Sequence, residues 1–278
     1  MDIQFIETGF FYADGGAMFG AIPKTAWSRR YQSNEQNGCI LAMRCAVVRC
    51  DNGRTLLIDN GAGDKQLQQL SYYRFFDLVD LKEELLKRGI SPEEITDVVL
   101  THLHFDHCGY TTQKQTDSTG KVTYTVAFPN AKHWVSREQW ENFLHPNALE
   151  KESYYMENMQ AVAANGLLHL IEQDTVLCPE VELRLYGGHT PGQIAPYIQT
   201  DEGTYVFAGD VIPLAASVSP VWISAYDTYP VTSYQEKLRL LEEAAREQQT
   251  LIFCHDAYTP IGQVKKVKDF YTLKQIRM

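Results

Sequence analysis

No two of the six cysteines (Cys39, Cys45, Cys50, Cys108, Cys178, Cys254) form a C-x-x-C pair, which argues against a zinc ribbon or a redox dithiol. No apolar run reaches the ~18 residues that a membrane span needs. Glycine (18) and proline (11) are too few among 278 residues for a fibrous or low-complexity protein. Basic residues are outnumbered 25 to 35, a net charge of −10, which argues against nucleic acid as a partner, because proteins that grip phosphate backbones are usually basic. Residues Met1 to Glu7 offer neither a basic start nor a sustained apolar core, and the expectation is a cytoplasmic protein without a leader. Hydrophobic residues are 44% of the chain, enough apolar surface to exclude disorder as the dominant state.

What remains is an alternation of strand-like and helix-like stretches. Residues 46–50 and 55–58 flank Asp51-Asn52-Gly53-Arg54, a strong hairpin signal. Residues 96–101, 205–208 and 250–253 read as buried strands. Asp117-Ser118-Thr119-Gly120 reads as a second hairpin turn ahead of the alternating Val122, Tyr124 and Val126. Helical spacing runs from Leu78 to Lys87 and from Ser233 to Gln248, the latter opened by a capping box of Ser233 and Glu236. Segment 134–165 reads as helical with a break near His145-Pro146. Strand candidates end abruptly in loops bearing His or Asp: 101–109, 187–193, Gly209-Asp210 and Cys254-His255-Asp256. In open α/β folds, such positions just beyond strand ends are where sites form.

Five of the eight histidines sit in those loops. Thr101-His102-Leu103-His104-Phe105-Asp106-His107-Cys108-Gly109 packs three imidazoles and a carboxylate into six positions. In an extended chain His102 and His104 fall on the same side, while Asp106 and His107 on a following turn face a second point nearby. Imidazoles this close repel if charged and each need a partner if buried neutral. A divalent cation resolves both problems by accepting their lone pairs; His suits zinc and Asp adds a harder oxygen. His133, His145 and His169 lie outside these loops and read as surface or packing residues.

The pattern His102-x-His104-x-Asp106-His107 resembles the signature of the metallo-β-lactamase fold hydrolases. The resemblance continues through Gly188-His189-Thr190-Pro191-Gly192, Gly209-Asp210 and Cys254-His255. Asp59-Asn60-Gly61 stands where the family usually has Asp-Thr-Gly. The resemblance implies an α/β fold, a four-layer αββα sandwich, formed by residues 1–278 as one domain whose N-terminal extension (about 1–38) lines the mouth of the site. It implies that His102, His104 and His189 hold one metal, that Asp106, His107 and His255 hold a second, and that Asp210 bridges them with a hydroxide between. Asp106 and Asp210 are then the candidate catalytic carboxylates, and Asp59 orients a ligand from behind. Two cations about 3.5–4 Å apart lower the pKa of bound water towards ~7 and polarise a carbonyl or phosphoryl oxygen. Zinc is the expected metal; imidazole and carboxylate also suit iron, manganese or cobalt.

Asp14-Gly15-Gly16-Ala17-Met18-Phe19-Gly20-Ala21-Ile22-Pro23-Lys24-x-x-Trp27, Phe128-Pro129-Asn130-Ala131 and Trp140 are similar to a subgroup of the family. That subgroup contains quorum-quenching N-acyl-homoserine lactonases and methyl parathion hydrolase-like enzymes. The implied activity is hydrolysis of a lactone or related ester, with Met18, Phe19 and Trp27 receiving an acyl or aryl group at an apolar mouth. Lactonases of the family carry a tyrosine three residues after the bridging aspartate; here that position is Pro213, and Tyr226 or Tyr229 could replace its hydroxyl. The alternatives are a phosphotriesterase or thioesterase on the same metals, and a non-catalytic, metal-stabilised effector. The expected partner is a small-molecule substrate, with no nucleic acid and no membrane, and the subgroup allows a homodimer.

Overall fold

Parallel pairing of neighbouring strands governs where the polar loops emerge. The computed structural model describes residues 1–275, and the chain divides into two compact units: Met1–Phe10 with Met43–Glu172, and Phe11–Ala42 with Gln173–Met278.

The strands of the first unit are β1 (Asp2–Asp14), β2 (Gly38–Arg49), β3 (Thr55–Ile58), β4 (Asp97–Val99), β5 (Thr112–Thr116), β6 (Val122–Val126), β7 (Lys132–Ser136) and β8 (Leu168–Ile171). Residues 11–14 of β1 and 38–42 of β2 count with the second unit. β5 and β6 form the expected hairpin, and the others make one sheet in the order β1-β2-β3-β4-β7-β8. The hairpin at Asp51–Arg54 joins β2 to β3, with Arg49 opposite Thr55. Gly53 supplies the positive φ of 85° that the turn needs. β3, β4, β7 and β8 then run parallel. Asp97 binds this arrangement together: it accepts from Arg54 Nε at 2.8 Å, Thr96 Oγ1 at 2.7 Å and Trp134 Nε1 at 2.8 Å. Burial opposes its charge, but these bonds hold its pKa below the usual carboxylate value. Leu57, Val98, Leu100, Phe128, Val135 and Phe143 lie in the buried core of this unit.

Two helical expectations change here. The helix expected from Leu78 begins at Leu81, where the Asp80 side chain accepts from Glu83 N at 3.1 Å. Segment 134–165 is not helical throughout. Residues 132–136 form β7, because His133 and Val135 alternate inward and the strand pairs with both β4 and β8. Helix Arg137–Leu144 follows, capped by Ser136, and ends at His145 ahead of Pro146. Short 3₁₀ turns and helix Gln160–Ala164 complete the stretch. His133 is buried, as a packing residue should be, and burial drives its pKa down to about 4.

The second unit contains β9 (Thr175–Cys178), β10 (Val181–Tyr186), β11 (Gln193–Thr200), β12 (Gly203–Phe207), β13 (Thr250–Ile252), β14 (Ile261–Val267) and β15 (Phe270–Gln275). They form one sheet in the order β15-β14-β13-β12-β11-β10-β9. β12 and β13 are parallel, joined through helix Pro230–Glu247. Leu240, Leu241 and Ala244 of that helix share a core cluster with Val206, Leu251 and Phe253. The helix starts a turn before the expected Ser233. Pro230 takes its first position, where a missing N–H costs nothing, and Ser233 N already bonds to Tyr229 O at 2.9 Å. All six cysteines are free and buried, and among the described residues no helix is long and apolar enough to cross a membrane.

Gly109 closes the histidine-bearing loop of the first unit against Ala62. A Cβ there would lie 2.0 Å from the Ala62 carbonyl oxygen, a backbone atom with little freedom to yield. Gly109→Ala should therefore destabilise the chain by about 2 kcal/mol or more. Gly187→Ala, whose Cβ would meet only the Thr232 methyl at 3.4 Å, should stay close to wild type. Urea denaturation of both variants checks the contrast.

Candidate metal centre

The parallel pairs deliver the polar side chains. In the first unit, β3 runs into Asp59 and the adjacent β4 into Thr101 and His102, so Asp59 and Thr101 leave the sheet side by side. Asp59 adopts a left-handed φ of 55°, which Asp tolerates better than most residues. Its carboxylate accepts from Thr101 N at 2.8 Å, Thr101 Oγ1 at 2.8 Å and His107 Nδ1 at 2.8 Å. His104 is extended and precedes the single helical turn Phe105–Cys108, which carries Asp106 and His107. Asn60 replaces the family's threonine without loss of order, for its amide donates to Thr111 Oγ1 and accepts from Tyr110 N.

The hydrogen bonds behind each ring fix its tautomer. Thr101 gives its only hydroxyl proton to Asp59, so its oxygen accepts from His102 Nδ1 at 3.1 Å. His107 Nδ1 donates to Asp59, and His104 Nε2 donates to Glu150 Oε2 at 3.3 Å. The lone pairs of these imidazoles therefore sit on His102 Nε2, His104 Nδ1 and His107 Nε2. His102 Nε2 and His104 Nδ1 are 3.0 Å apart. Asp106 Oδ2 lies 3.9 Å from His107 Nε2.

The second unit repeats the logic. β12 and β13 end side by side, and beyond them stand Asp210 and His255; His189 lies in the turn between β10 and β11, at a Gly188 with φ 111°. Ser233 backs directly onto Gly188, where a Cβ would come within 2.5 Å of Ser233 backbone atoms. His189 Nδ1 donates to Asp227 Oδ1 at 3.0 Å and His255 Nδ1 donates to the Ala42 carbonyl at 2.8 Å. Their other nitrogens face different oxygens of one carboxylate: His255 Nε2 is 3.1 Å from Asp210 Oδ1, and His189 Nε2 is 3.4 Å from Asp210 Oδ2. Cys254 Sγ donates to Asp210 Oδ1 at 3.3 Å. Burial opposes a charge on His255, yet Cys254 and Asp210 beside it raise its pKa well above the ordinary value.

Both clusters thus fit a divalent metal: acceptor atoms converge, and the outer nitrogens are already committed. The structure brings Asp59, His102, His104, Asp106 and His107 together in one unit, and His189, Asp210, His255 and Tyr226 in the other. The Tyr226 ring stands edge-on to His189 with centroids 5.3 Å apart, and its hydroxyl donates to Met18 Sδ at 3.3 Å. Tyr229 is 47% exposed. Met18, Phe19 and Trp27 are 2%, 0% and 2% exposed, with Phe19 stacked on Trp27 at 4.8 Å; in this structure they pack inside the second unit rather than opening onto solvent. Glu150 and Asp227 were not found by sequence reasoning. Each is a single carboxylate far along the chain from the ring it holds, and no spacing marks it.

Comparison with known proteins places this geometry. Residues 44–111 match the family model of the metallo-beta-lactamase superfamily. An N-acyl homoserine lactonase of Bacillus thuringiensis subsp. kurstaki is 28% identical over 233 residues, covering 78% of this chain and 82% of the relative. A solved structure of a probable metal-dependent hydrolase from Staphylococcus aureus superposes with a TM-score of 0.85 at 29% identity, over 100% of this chain and 98% of that one. A dizinc quorum-quenching lactonase shares the fold, with a TM-score of 0.77 at 18% identity over 99% and 94%. The α/β fold class expected from the sequence is borne out by the mixed sheets and helices and by these neighbours. Residues 44–111 thus resemble the metallo-beta-lactamase superfamily, and the chain is similar along most of its length to N-acyl homoserine lactonases.

Proposed function

We propose that the two clusters act as one dinuclear centre and that the protein hydrolyses a lactone or closely related ester, with an N-acyl homoserine lactone as the leading substrate. One observation carries the reading: all five imidazoles have their outer nitrogen bonded to an acceptor, leaving the inner lone pair for a metal. His102, His104 and His189 would hold one ion, Asp106, His107 and His255 the other, with Asp210 offering one oxygen to each. Zinc suits this donor set, and iron, manganese or cobalt are also compatible. When bound, the ions supply a nucleophilic water at neutral pH and polarise the carbonyl.

The rest falls to the chain's own groups. Asp106, whose side chain is 11% exposed, is a carboxylate accessible to the leaving alkoxide and would take up the proton that the attacking water releases and pass it to that alkoxide. Tyr226 supplies the hydroxyl that Pro213 lacks. Its present acceptor, a thioether sulfur, is a weak one, so the hydroxyl can turn to a substrate oxygen at little cost. Tyr229 is less suited, since it lies exposed at the start of helix Pro230–Glu247.

Three outcomes test the proposal. The purified chain should take two divalent ions and open N-hexanoyl-homoserine lactone faster than it cleaves a thioester or phosphotriester; a reversed preference would move the assignment to those substrates. His104→Ala should lose at least one ion and nearly all turnover with an unchanged circular dichroism spectrum, and Asp210→Asn should weaken both ions more than Asp59→Asn does, as read by metal titration. Tyr226→Phe should lower kcat by about 10²-fold, the scale of one lost oxyanion donor, whereas Tyr229→Phe should leave it unchanged.

A further inference from the structure

We propose that Glu150 and Asp227 are positioning residues that make the ion held by His102, His104 and His189 the tighter of the two, first to bind and last to leave. The inference rests on the dinuclear reading above and adds an order to it.

A carboxylate on the far nitrogen of a metal-binding imidazole fixes the ring and raises its basicity, and losing such a partner commonly costs 10–100-fold in affinity. Glu150 is 4% exposed. Its Oε1 accepts from Asn142 Nδ2 at 2.8 Å and Asn147 Nδ2 at 2.7 Å, and its Oε2 accepts from the Tyr154 hydroxyl at 3.1 Å as well as from His104. These amides and this hydroxyl hold the carboxylate in place without cancelling its charge. Asp227 belongs to a longer grip on His189. Next to it, Thr228 donates to the His189 carbonyl from both N (3.1 Å) and Oγ1 (3.0 Å), and Tyr229 N donates to the Gly188 carbonyl at 2.9 Å. The ring and the backbone of His189 are therefore held by one segment. The buried Lys237 faces Asp227 with an opposing charge, its ammonium anchored on the Trp222 carbonyl at 2.6 Å.

Two of the three rings on the first ion thus have a carboxylate behind them, the third, His102, leaning on the Thr101 hydroxyl, against one of the two rings on the other ion. His255 leans on a neutral carbonyl, that of Ala42. Asp59 backs His107 at 2.8 Å and also accepts from two donors of Thr101, as Glu150 accepts from three donors besides His104. The donor spacing points the same way. Zinc–nitrogen bonds of 2.0–2.1 Å at a tetrahedral angle put two nitrogens about 3.3 Å apart. His102 Nε2 and His104 Nδ1 already stand at 3.0 Å, whereas Asp106 and His107 present atoms 3.9 Å apart. The first pair needs little movement to close on an ion.

Titrating the metal-free, full-length chain with Co²⁺, followed by calorimetry and visible absorption, tests the order. The wild type should show two classes of site. Glu150→Gln and Asp227→Asn should each weaken the tighter class by about 10–100-fold and leave the looser one nearly unchanged, and Glu150→Asp should recover part of the loss. Long-range ¹H–¹⁵N spectra of the metal-free wild type should place the proton of His104 on Nε2 and that of His189 on Nδ1, a readout independent of whether any variant folds. Loss confined to the looser class, equal loss in both, no loss, or the opposite tautomers would overturn the proposal. Fewer than two Co²⁺ per wild-type chain would instead overturn the dinuclear reading itself.

Discussion

Everything in the two clusters depends on the hydrogen bond behind each imidazole. A neutral imidazole has one donor and one acceptor, and an acceptor-only partner behind it decides which nitrogen keeps the lone pair. Asp59, Glu150, Asp227 and the Ala42 carbonyl are all acceptor-only, and Thr101 is made one by surrendering its proton to Asp59. In the first unit the result is a set of imidazole acceptors turned towards one another, and in the second it is two imidazole nitrogens turned towards the Asp210 carboxylate. Such an arrangement is costly as an empty structural motif and favourable around a cation.

The backbone makes that set possible through one device used twice. Two adjacent parallel strands end at the same level and release their chains at the same point. β3 with β4 brings Asp59 to Thr101 and the histidine loop, and β12 with β13 brings Asp210 to His255. Parallel pairs require a connecting crossover, and helix Pro230–Glu247 serves that purpose in the second unit while its first turn supports the His189 loop. Packing and chemistry therefore meet in the same helix: its apolar face secures the core, and its N-terminal end, preceded by Asp227, secures a ring.

The sequence made the ligand loops legible because their spacing is short and chemically improbable as packing: three imidazoles and a carboxylate in six positions are hard to bury together without a cation. Its strands were legible where β-branched runs met turn residues, as at Asn52-Gly53. Less was legible where a long-range partner decides the outcome. Lys132–Ser136 becomes a strand because β4 and β8 accept it on both sides, which no local window contains. Pro230 extends a helix that a capping box at Ser233 would have started later. Phe19 and Trp27 stack on each other in the interior, a pairing that apolar composition alone does not separate from a ligand-facing one. Glu150 and Asp227 are the clearest case, since a carboxylate that orients a distant ring looks like any other acidic residue until the chain is folded.

Charge accounting links these pieces. Asp59, Asp106, Glu150, Asp210 and Asp227 accompany imidazoles whose tautomers are neutral, and Asp59, Glu150 and Asp210 are buried. Buried carboxylates without a compensating charge strain a protein interior; Lys237 faces Asp227, and Asp210 with Cys254 raises the His255 pKa. On the dinuclear reading proposed above, two divalent ions would supply four positive charges, without the ring protonation that would abolish the inward lone pairs. Metal retention, imidazole tautomer and acidity of the site are thus one coupled property, set by partners that lie behind the ligands.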